Sequence, residues 1–142
     1  MEKPVAVVTG SSSGIGYETA LELARNGFGV YATMRNTGRA GPLLQEAAAR
    51  EGLQIKVVQL DVNSDSSVAG AISSILQETG GRLDVLVNNA GYGLMGAVED
   101  LSMDELRAQF ETNFFGLVRV TQAVLPAMRK QKSGRIINID SI

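Results

Sequence analysis

Short apolar runs alternate along this chain with longer segments in which apolar residues recur at helical spacing. Each apolar run has the length of a strand that is buried on both faces of a parallel sheet. We predict strands over residues 5–8, 29–34, 55–60, 83–87 and 135–139. We predict helices over residues 14–26, 42–51, 65–78 and 103–131. This alternation indicates an α/β fold in which helices cover both faces of a doubly wound parallel sheet.

The first strand, Val5–Val8, leads into a turn that contains three glycines. The turn reads Thr9-Gly10-Ser11-Ser12-Ser13-Gly14-Ile15-Gly16 and opens the first predicted helix. Glycine allows a sharp turn and a close approach to a ligand, and the free N–H groups of the first helical turn attract an anion. The alternative is a tight loop without a ligand. We predict a pyrophosphate site at Gly10, Ser12, Ser13, Gly14, Ile15 and Gly16.

Arg35 follows the second strand, where a dinucleotide-binding fold meets the adenosine ribose. An acidic residue there would bind a free 2′-hydroxyl, whereas an arginine offers a planar cation to a 2′-phosphate. A hydroxyl from Ser12 or Ser13 is predicted to contact the same phosphate. The alternative is an exposed loop arginine without a ligand. Arg35 therefore favours NADP over NAD as the cofactor.

The third and fourth strands end in polar and small residues. Asp61-Val62 follows the third strand, and Asn88-Asn89-Ala90-Gly91 follows the fourth. The carboxyl ends of parallel strands meet at one edge of the sheet, and ligands bind there. Small residues such as Ala90 and Gly91 leave room for a ribose, although Asp61 has the alternative role of capping the next helix. We predict cofactor contacts from Asp61, Val62, Asn88, Ala90 and Gly91.

Composition narrows the possible functions. The 142 residues carry a net charge of −2, with 44% hydrophobic and 20% charged residues, which is typical of one globular domain. Scattered lysines and arginines argue against nucleic acid and anionic lipid as partners. No membrane-spanning stretch or signal peptide is evident, which favours a cytoplasmic protein. The absence of cysteine and histidine excludes thiol nucleophiles, Ser-His-Asp triads and zinc clusters, so we predict no metal site.

Several of these motifs together resemble the short-chain dehydrogenase/reductase family. The Thr9–Gly16 turn and the Asn88–Gly91 run match the family's motifs in order, and the resemblance extends to Ser141. It implies a Rossmann-type sheet with strand order 3-2-1-4-5 and reversible hydride transfer between a nicotinamide and an alcohol or carbonyl. It also implies that Asp61 binds the adenine amino group. Two catalytic residues follow from it, namely Asn113, which holds a water in the proton relay, and Ser141, which orients the substrate.

The same resemblance implies an acid/base tyrosine in a Tyr-x-x-x-Lys motif after strand five. None of the three tyrosines, at positions 17, 31 and 92, has a lysine four residues later. The fifth strand would also form an uncovered apolar edge. We therefore expect residues 1–142 to be the N-terminal part of a longer dehydrogenase domain. The alternative is a non-catalytic NADP(H)-binding or regulatory module that dimerises through its open edge.

Two segments bear on the substrate. Residues 30–35 and 92–96 look like those of NADP-linked hydroxysteroid and retinol dehydrogenases, which favours an apolar alcohol or ketone. The family's dimer-forming helix corresponds to residues 103–131, so a homodimer or tetramer is expected of the full-length chain. Phe110 and Phe114 are expected to place Asn113 in the interior. A methyltransferase is a weaker alternative, because its glycine loop normally lacks the three-residue gap between Gly10 and Gly14.

Overall fold

Five parallel strands form the centre of the structure, a computed structural model that describes residues 2–141. The strands are β1 (Val5–Val8), β2 (Gly29–Met34), β3 (Ile55–Gln59), β4 (Val85–Asn88) and β5 (Arg135–Asn138). Their order in the sheet is β3-β2-β1-β4-β5, and each neighbouring pair is parallel. The predicted fold class and strand order are therefore confirmed.

Helices cover both faces of the sheet. They are α1 (Gly14–Arg25), α2 (Ala40–Arg50), α3 (Asp65–Glu78), α4 (Met103–Phe110) and α5 (Leu117–Gln131). A π-helical turn, Glu111–Gly116, joins α4 to α5, and a short 3₁₀ turn, Val98–Asp100, precedes α4. No helix within residues 2–141 has the length and apolar character needed to cross a bilayer.

The two faces of β1 contribute to two separate hydrophobic cores. Val5 and Val7 pack with α3 and α5, whereas Ala6 and Val8 pack with α1 and α2. All four residues are buried, because alternate side chains of a central strand point to opposite faces of a covered sheet. The central position of β1 places the glycine turn that follows it in the middle of the sheet edge.

Two elements begin two residues away from the predicted position, each for a physical reason. The fourth strand begins at Val85 instead of Leu83, because the Gln131 side chain hydrogen-bonds both the N–H and the C=O of Leu83. Helix α2 begins at Ala40, two residues before Pro42. Proline is tolerated at that position because the first N–H groups of a helix have no partner within the helix.

The predicted helical span over residues 103–131 is confirmed, with the π-helical turn inside it. The expectation of a buried environment around Asn113 is wrong, because Phe110 and Phe114 are 59% and 52% exposed. Packing in α5 depends on a different stripe, Val120, Val124 and Met128, which is buried against the sheet. The phenylalanines lie before this stripe and outside the core.

Candidate cofactor site

A cleft of about 220 Å³ lies at the carboxyl edge of the sheet. It brings together most of the residues predicted from the ends of the strands. The lining residues are Gly10, Ser12, Met34, Arg35, Leu60, Asp61, Val62, Asn63, Ala90, Gly91, Tyr92 and Thr112. The sequence rule that ligands sit beyond the ends of parallel strands therefore identifies a concave surface in the structure.

The Thr9 hydroxyl joins the end of β1 to the end of β4. Its oxygen accepts hydrogen bonds from the N–H groups of Asn89 and Ala90, each at 3.0 Å. In return, Nδ2 of Asn89 donates to the carbonyl of Gly10 at 3.0 Å. Thr9 is buried, so these bonds are shielded from water. The two strand ends are held as one unit beneath the cleft.

Two glycines of the turn have no room for a side chain. Gly10 has a φ of +63°, and a Cβ there would lie 2.8 Å from the Cα of Ala90. A Cβ on Gly16 would lie 2.2 Å from the carbonyl oxygen of Gly10. Real Cβ contacts are not this short, so the first turn of α1 can approach Gly10 only because residue 16 is glycine.

The N-terminus of α1 differs from those of α3 and α4. Ser64 caps α3 by accepting from the N–H of Ser67, and Ser102 forms a capping box at the start of α4. Ser13, at the start of α1, makes no such side-chain bond, and the first turn of α1 has no acidic residue. The first N–H groups and the positive end of the helix dipole are left for an anion.

Ile15 lies in this first turn and is 62% exposed. Ile15 does not pack on the sheet, because Gly16, Ala20, Leu21 and Ala24 are the buried residues of α1. An exposed apolar side chain beside an open helix N-terminus is available to a ligand. The placement of Ile15 is thus compatible with its predicted contact to the cofactor.

A second cleft, of about 330 Å³, adjoins the first. The two clefts share Ser12 and Arg35 in their linings, and the second also includes Arg39. Within residues 2–141, neither Arg35 nor Arg39 forms an ion pair with a carboxylate. Sequence reasoning missed Arg39, although its place four residues after Arg35, at the start of α2, was a signal.

Asp61 and Val62, which follow β3, also line the first cleft. One carboxylate oxygen of Asp61 accepts from the N–H of Asn63 at 2.9 Å, and the Asp61 N–H donates to the Ser67 hydroxyl at 2.9 Å. Because Ser64 caps α3, Asp61 does not take the capping role that the sequence left open. The Asp61 carboxylate shapes the turn and retains acceptor capacity toward the cleft.

Asn88 lies away from the cleft although it was predicted as a cofactor contact. It is buried in β4, and its Nδ2 donates to the Thr121 hydroxyl and to Oδ1 of Asn138, each at 3.0 Å. Its own Oδ1 is buried without a hydrogen-bond partner in the described part of the chain. Asn88 ties β4 to β5 and α5.

Asn113 occupies the π-helical turn, and its side chain clamps the backbone of Tyr92. Oδ1 of Asn113 accepts from the Tyr92 N–H at 3.0 Å, and Nδ2 donates to the Tyr92 carbonyl at 2.8 Å. A Cβ on Gly91 would lie 2.9 Å from the same Oδ1. An amide has a further hydrogen and a further lone pair, so Asn113 keeps the capacity to hold a water.

Ser141 and Asp140 follow β5 at the same edge of the sheet. The Ser141 N–H donates to the Asp140 carboxylate at 2.7 Å, and both residues are exposed. The Ile139 N–H donates to the Asn88 carbonyl at 3.0 Å, which continues the β4–β5 ladder toward Ser141. Ser141 thus lies near the end of the strand that neighbours the Asn88–Gly91 segment.

Comparison with known proteins agrees with this geometry. A family profile described as short chain dehydrogenase matches residues 4–142. The chain belongs to the short-chain dehydrogenase family. It is 48% identical to human retinol dehydrogenase 8 over 141 residues, which are 96% of this chain and 43% of that protein. It is 40% identical to rat estradiol 17-beta-dehydrogenase 1, covering 100% of this chain and 42% of that protein.

Solved structures share this architecture over the matched residues. An actinorhodin polyketide ketoreductase variant crystallised with NADPH superimposes with a TM-score of 0.92 and 34% identity. The match covers 98% of this chain and 53% of that one. The chain spans between 42% and 50% of the length of the curated relatives it matches.

The rim of this short-chain dehydrogenase has the groups that a phosphate-bearing dinucleotide needs. The uncapped start of α1 supplies N–H donors, and Arg35 supplies a cation without a carboxylate partner among residues 2–141. Glycine at positions 10 and 91 lets Ala90 and the Asn113 side chain come closer than a Cβ would allow, which keeps the strand ends together beside the cleft. The donor set and the shape of the cleft therefore fit a nicotinamide dinucleotide.

Proposed function

We propose that this short-chain dehydrogenase binds NADP(H) along the joined clefts and serves hydride transfer between the nicotinamide and an alcohol or carbonyl substrate. One observation carries the proposal: the open N-terminus of α1 lies beside a cleft that continues, through Ser12 and Arg35, to a second cleft. The first feature suits a pyrophosphate and the second a 2′-phosphate.

Each group along the clefts has a proposed role. The α1 N-terminus binds the pyrophosphate, Arg35 and Ser12 bind the 2′-phosphate, and Asp61 with Val62 contacts the adenine. Asn113 holds a water of the proton relay, and Ser141 orients the substrate oxygen. A bound nicotinamide supplies or accepts the hydride. The remaining acid/base step needs a group that gives and takes the proton. Residues 1–142 contain no Tyr-x-x-x-Lys motif that would provide it.

The substrate class is also a proposal, and the names of relatives support it. Retinol dehydrogenase 8 and estradiol 17-beta-dehydrogenase 1 are named after apolar alcohols. We propose that this dehydrogenase acts on an apolar alcohol or ketone.

Self-association of the protein is a further part of the proposal. Phe110, Phe114 and Phe115 are exposed on the π-helical turn and beside it, which supports such an interface.

Fluorescence titration with NADPH and NADH tests the cofactor proposal. We expect saturable binding of both, with a Kd for NADPH about tenfold or more below that for NADH, because an arginine–phosphate contact adds a charge-assisted bond. If neither NADPH nor NADH binds, the whole proposal is overturned. Equal affinities would overturn the NADP assignment alone.

An activity assay separates binding from turnover. With NADPH and a panel of apolar ketones, we expect the 142-residue chain to bind the nucleotide and oxidise it slowly. A positioned acid/base group typically contributes about 10²–10⁴-fold to the rate. Fast oxidation by this chain would contradict the proposed requirement for a Tyr-x-x-x-Lys pair.

A further inference from the structure

The guanidinium of Arg119 in α5 contacts three other segments of the chain. Nε donates to the Asp65 carboxylate at the start of α3, and Nη1 donates to the carbonyl of Val62. Nη2 donates to the Glu111 carboxylate at 2.8 Å, on the first residue of the π-helical turn. One side chain thereby joins the adenine side of the cleft to the turn that carries Asn113.

Two further contacts join the β3–α3 connection to the π-helical turn. Nδ2 of Asn63 donates to the Thr112 hydroxyl at 3.0 Å. A Cβ on Gly116 would lie 2.8 Å from Cγ2 of Val62, so the π-helical turn packs directly on the β3–α3 connection. Because Thr112 and Gly116 flank Asn113, the turn that carries Asn113 is anchored to the β3–α3 connection, while the Asn113 side chain binds the Tyr92 backbone.

The environment of Arg119 is partly shielded from water. Its side chain is 22% exposed, and the hydrogen bond to Glu111 raises the pKa of the guanidinium. A planar guanidinium can serve three acceptors in fixed directions, which a lysine ammonium on a flexible stem does less well. Arg25 is a useful contrast, because it also binds two carboxylates, Glu22 and Glu51, but at the opposite end of α1 from the glycine turn.

We propose that Arg119 is a positioning residue that couples the adenine side of the cleft to the Asn113–Tyr92 clamp. The ligand part of this inference rests on the proposed function, whereas the coupling itself is a property of the chain. Arg119 fixes Val62 and Glu111 relative to one another, and the clamp on Tyr92 keeps its geometry only while they are fixed. Occupancy of the adenine side then stabilises the backbone of the opposite wall.

Amide hydrogen exchange at Tyr92, measured by NMR on the full chain without ligand, tests the coupling. We expect Arg119→Met to speed exchange at Tyr92 about tenfold, because charge-assisted bonds that hold the π-helical turn are lost. Arg119→Lys should restore only part of the protection. Arg25→Met should lower the thermal stability and leave Tyr92 exchange unchanged.

Two outcomes of this experiment would overturn the inference. One is unchanged exchange at Tyr92 in Arg119→Met. The other is equal acceleration in Arg119→Met and Arg25→Met, which would indicate general destabilisation. Should Arg119→Met fail to fold, Glu111→Gln removes only one arm of the network, and it must accelerate Tyr92 exchange in the same direction for the inference to stand.

A ligand arm uses 2′,5′-ADP, which carries the adenosine part of the cofactor without the nicotinamide. In the wild-type protein we expect this nucleotide to slow Tyr92 exchange further. In Arg119→Met it should still bind, with no effect on Tyr92. If the nucleotide binds neither the wild-type protein nor the variants, the proposed function fails. The ligand-free comparison then still decides the role of Arg119.

Discussion

Gly16 and Asn89 lie so close together that a Cβ on Gly16 would be 2.4 Å from Nδ2 of Asn89. The same Nδ2 donates to the carbonyl of Gly10, and a Cβ on Gly16 would be 2.2 Å from that carbonyl oxygen. Three residues from two segments therefore occupy a space that admits no additional carbon. The start of α1 and the end of β4 are fitted to each other across this point.

Gly16→Ala is expected to be strongly destabilising and to abolish nucleotide binding. The new methyl group must displace either backbone or the Asn89 amide, and overpacking of this kind costs about 1–3 kcal/mol or more. Chemical denaturation and NADPH titration measure the two effects. Gly70→Ala is the control, because Gly70 lies within α3 with open space around it. That change should stabilise the protein by about 0.5–1 kcal/mol.

Arg35→Asp is expected to raise the Kd for NADPH by about tenfold or more and to change the Kd for NADH little. The substitution removes a cation that faces the proposed 2′-phosphate and adds an anion that repels it. Fluorescence titration of both nucleotides provides the comparison. Arg135→Asp makes the same charge change at the start of β5, at the opposite end of the sheet. An equal loss of affinity for both nucleotides in Arg35→Asp would argue against a 2′-phosphate contact.

Thr9→Val is expected to reduce the free energy of unfolding by about 1–3 kcal/mol, because the N–H groups of Asn89 and Ala90 lose their shared acceptor. Valine matches threonine in shape, so the change isolates the hydroxyl. Urea denaturation measures the loss, and Thr9→Ser, which keeps the oxygen, should recover most of it. Equal stability of the valine variant and the wild type would show that the strand ends are held by packing alone.

The Glu78 carboxylate should make stability depend on pH in the acid range. The Lys56 ammonium and, to a smaller extent, the Tyr31 hydroxyl lower the pKa of Glu78. A carboxyl whose pKa is lower in the folded state stabilises the protein above its ordinary pKa, and this stabilisation is lost as the pH falls through the folded value. Between about pH 5 and pH 3, the unfolding free energy of Glu78→Gln should therefore fall less steeply than that of the wild type.

The same cluster provides an internal control at high pH. Burial raises the pKa of Tyr31, so its contribution is present below the ordinary tyrosine value and is lost as the pH rises through the folded value. Tyr31→Phe should remove that alkaline loss and keep most of the acid dependence, because Lys56 still contacts Glu78 at 2.8 Å. Identical acid profiles for Glu78→Gln and the wild type would contradict this account.

The sheet and most of the cleft were predictable from local patterns. Buried parallel strands appear in the sequence as short apolar runs, and glycines mark where the backbone must turn or approach a neighbour. Strand ends then follow from the fold rule, which is why Gly10, Arg35 and Asp61 were correctly expected at one edge. These residues are identified by their position relative to the strands, and such positions can be read from the order of residues alone.

The features that sequence reasoning missed depend on distant partners. Arg119 bonds to Val62 and Asp65, residues 57 and 54 positions away, and no local pattern around Arg119 indicates either. The π-helical turn is likewise invisible to helical periodicity, which continued smoothly through residues 111–116. Apolar Phe110 was assigned to the core by its chemistry, although burial depends on which stripe of the helix meets the sheet.

The contacts of Thr9 also bear on the order in which the molecule assembles. Its bonds to Asn89 and Ala90 span 80 and 81 positions, so the glycine turn near the amino terminus leaves the ribosome long before the residues that fix it. Closing a loop of that length is slow and entropically costly. A nascent chain that has not yet reached Ala90 therefore contains the residues of the turn but lacks the bonds that fix its conformation, and the proposed nucleotide site is complete only once the fourth strand has been made.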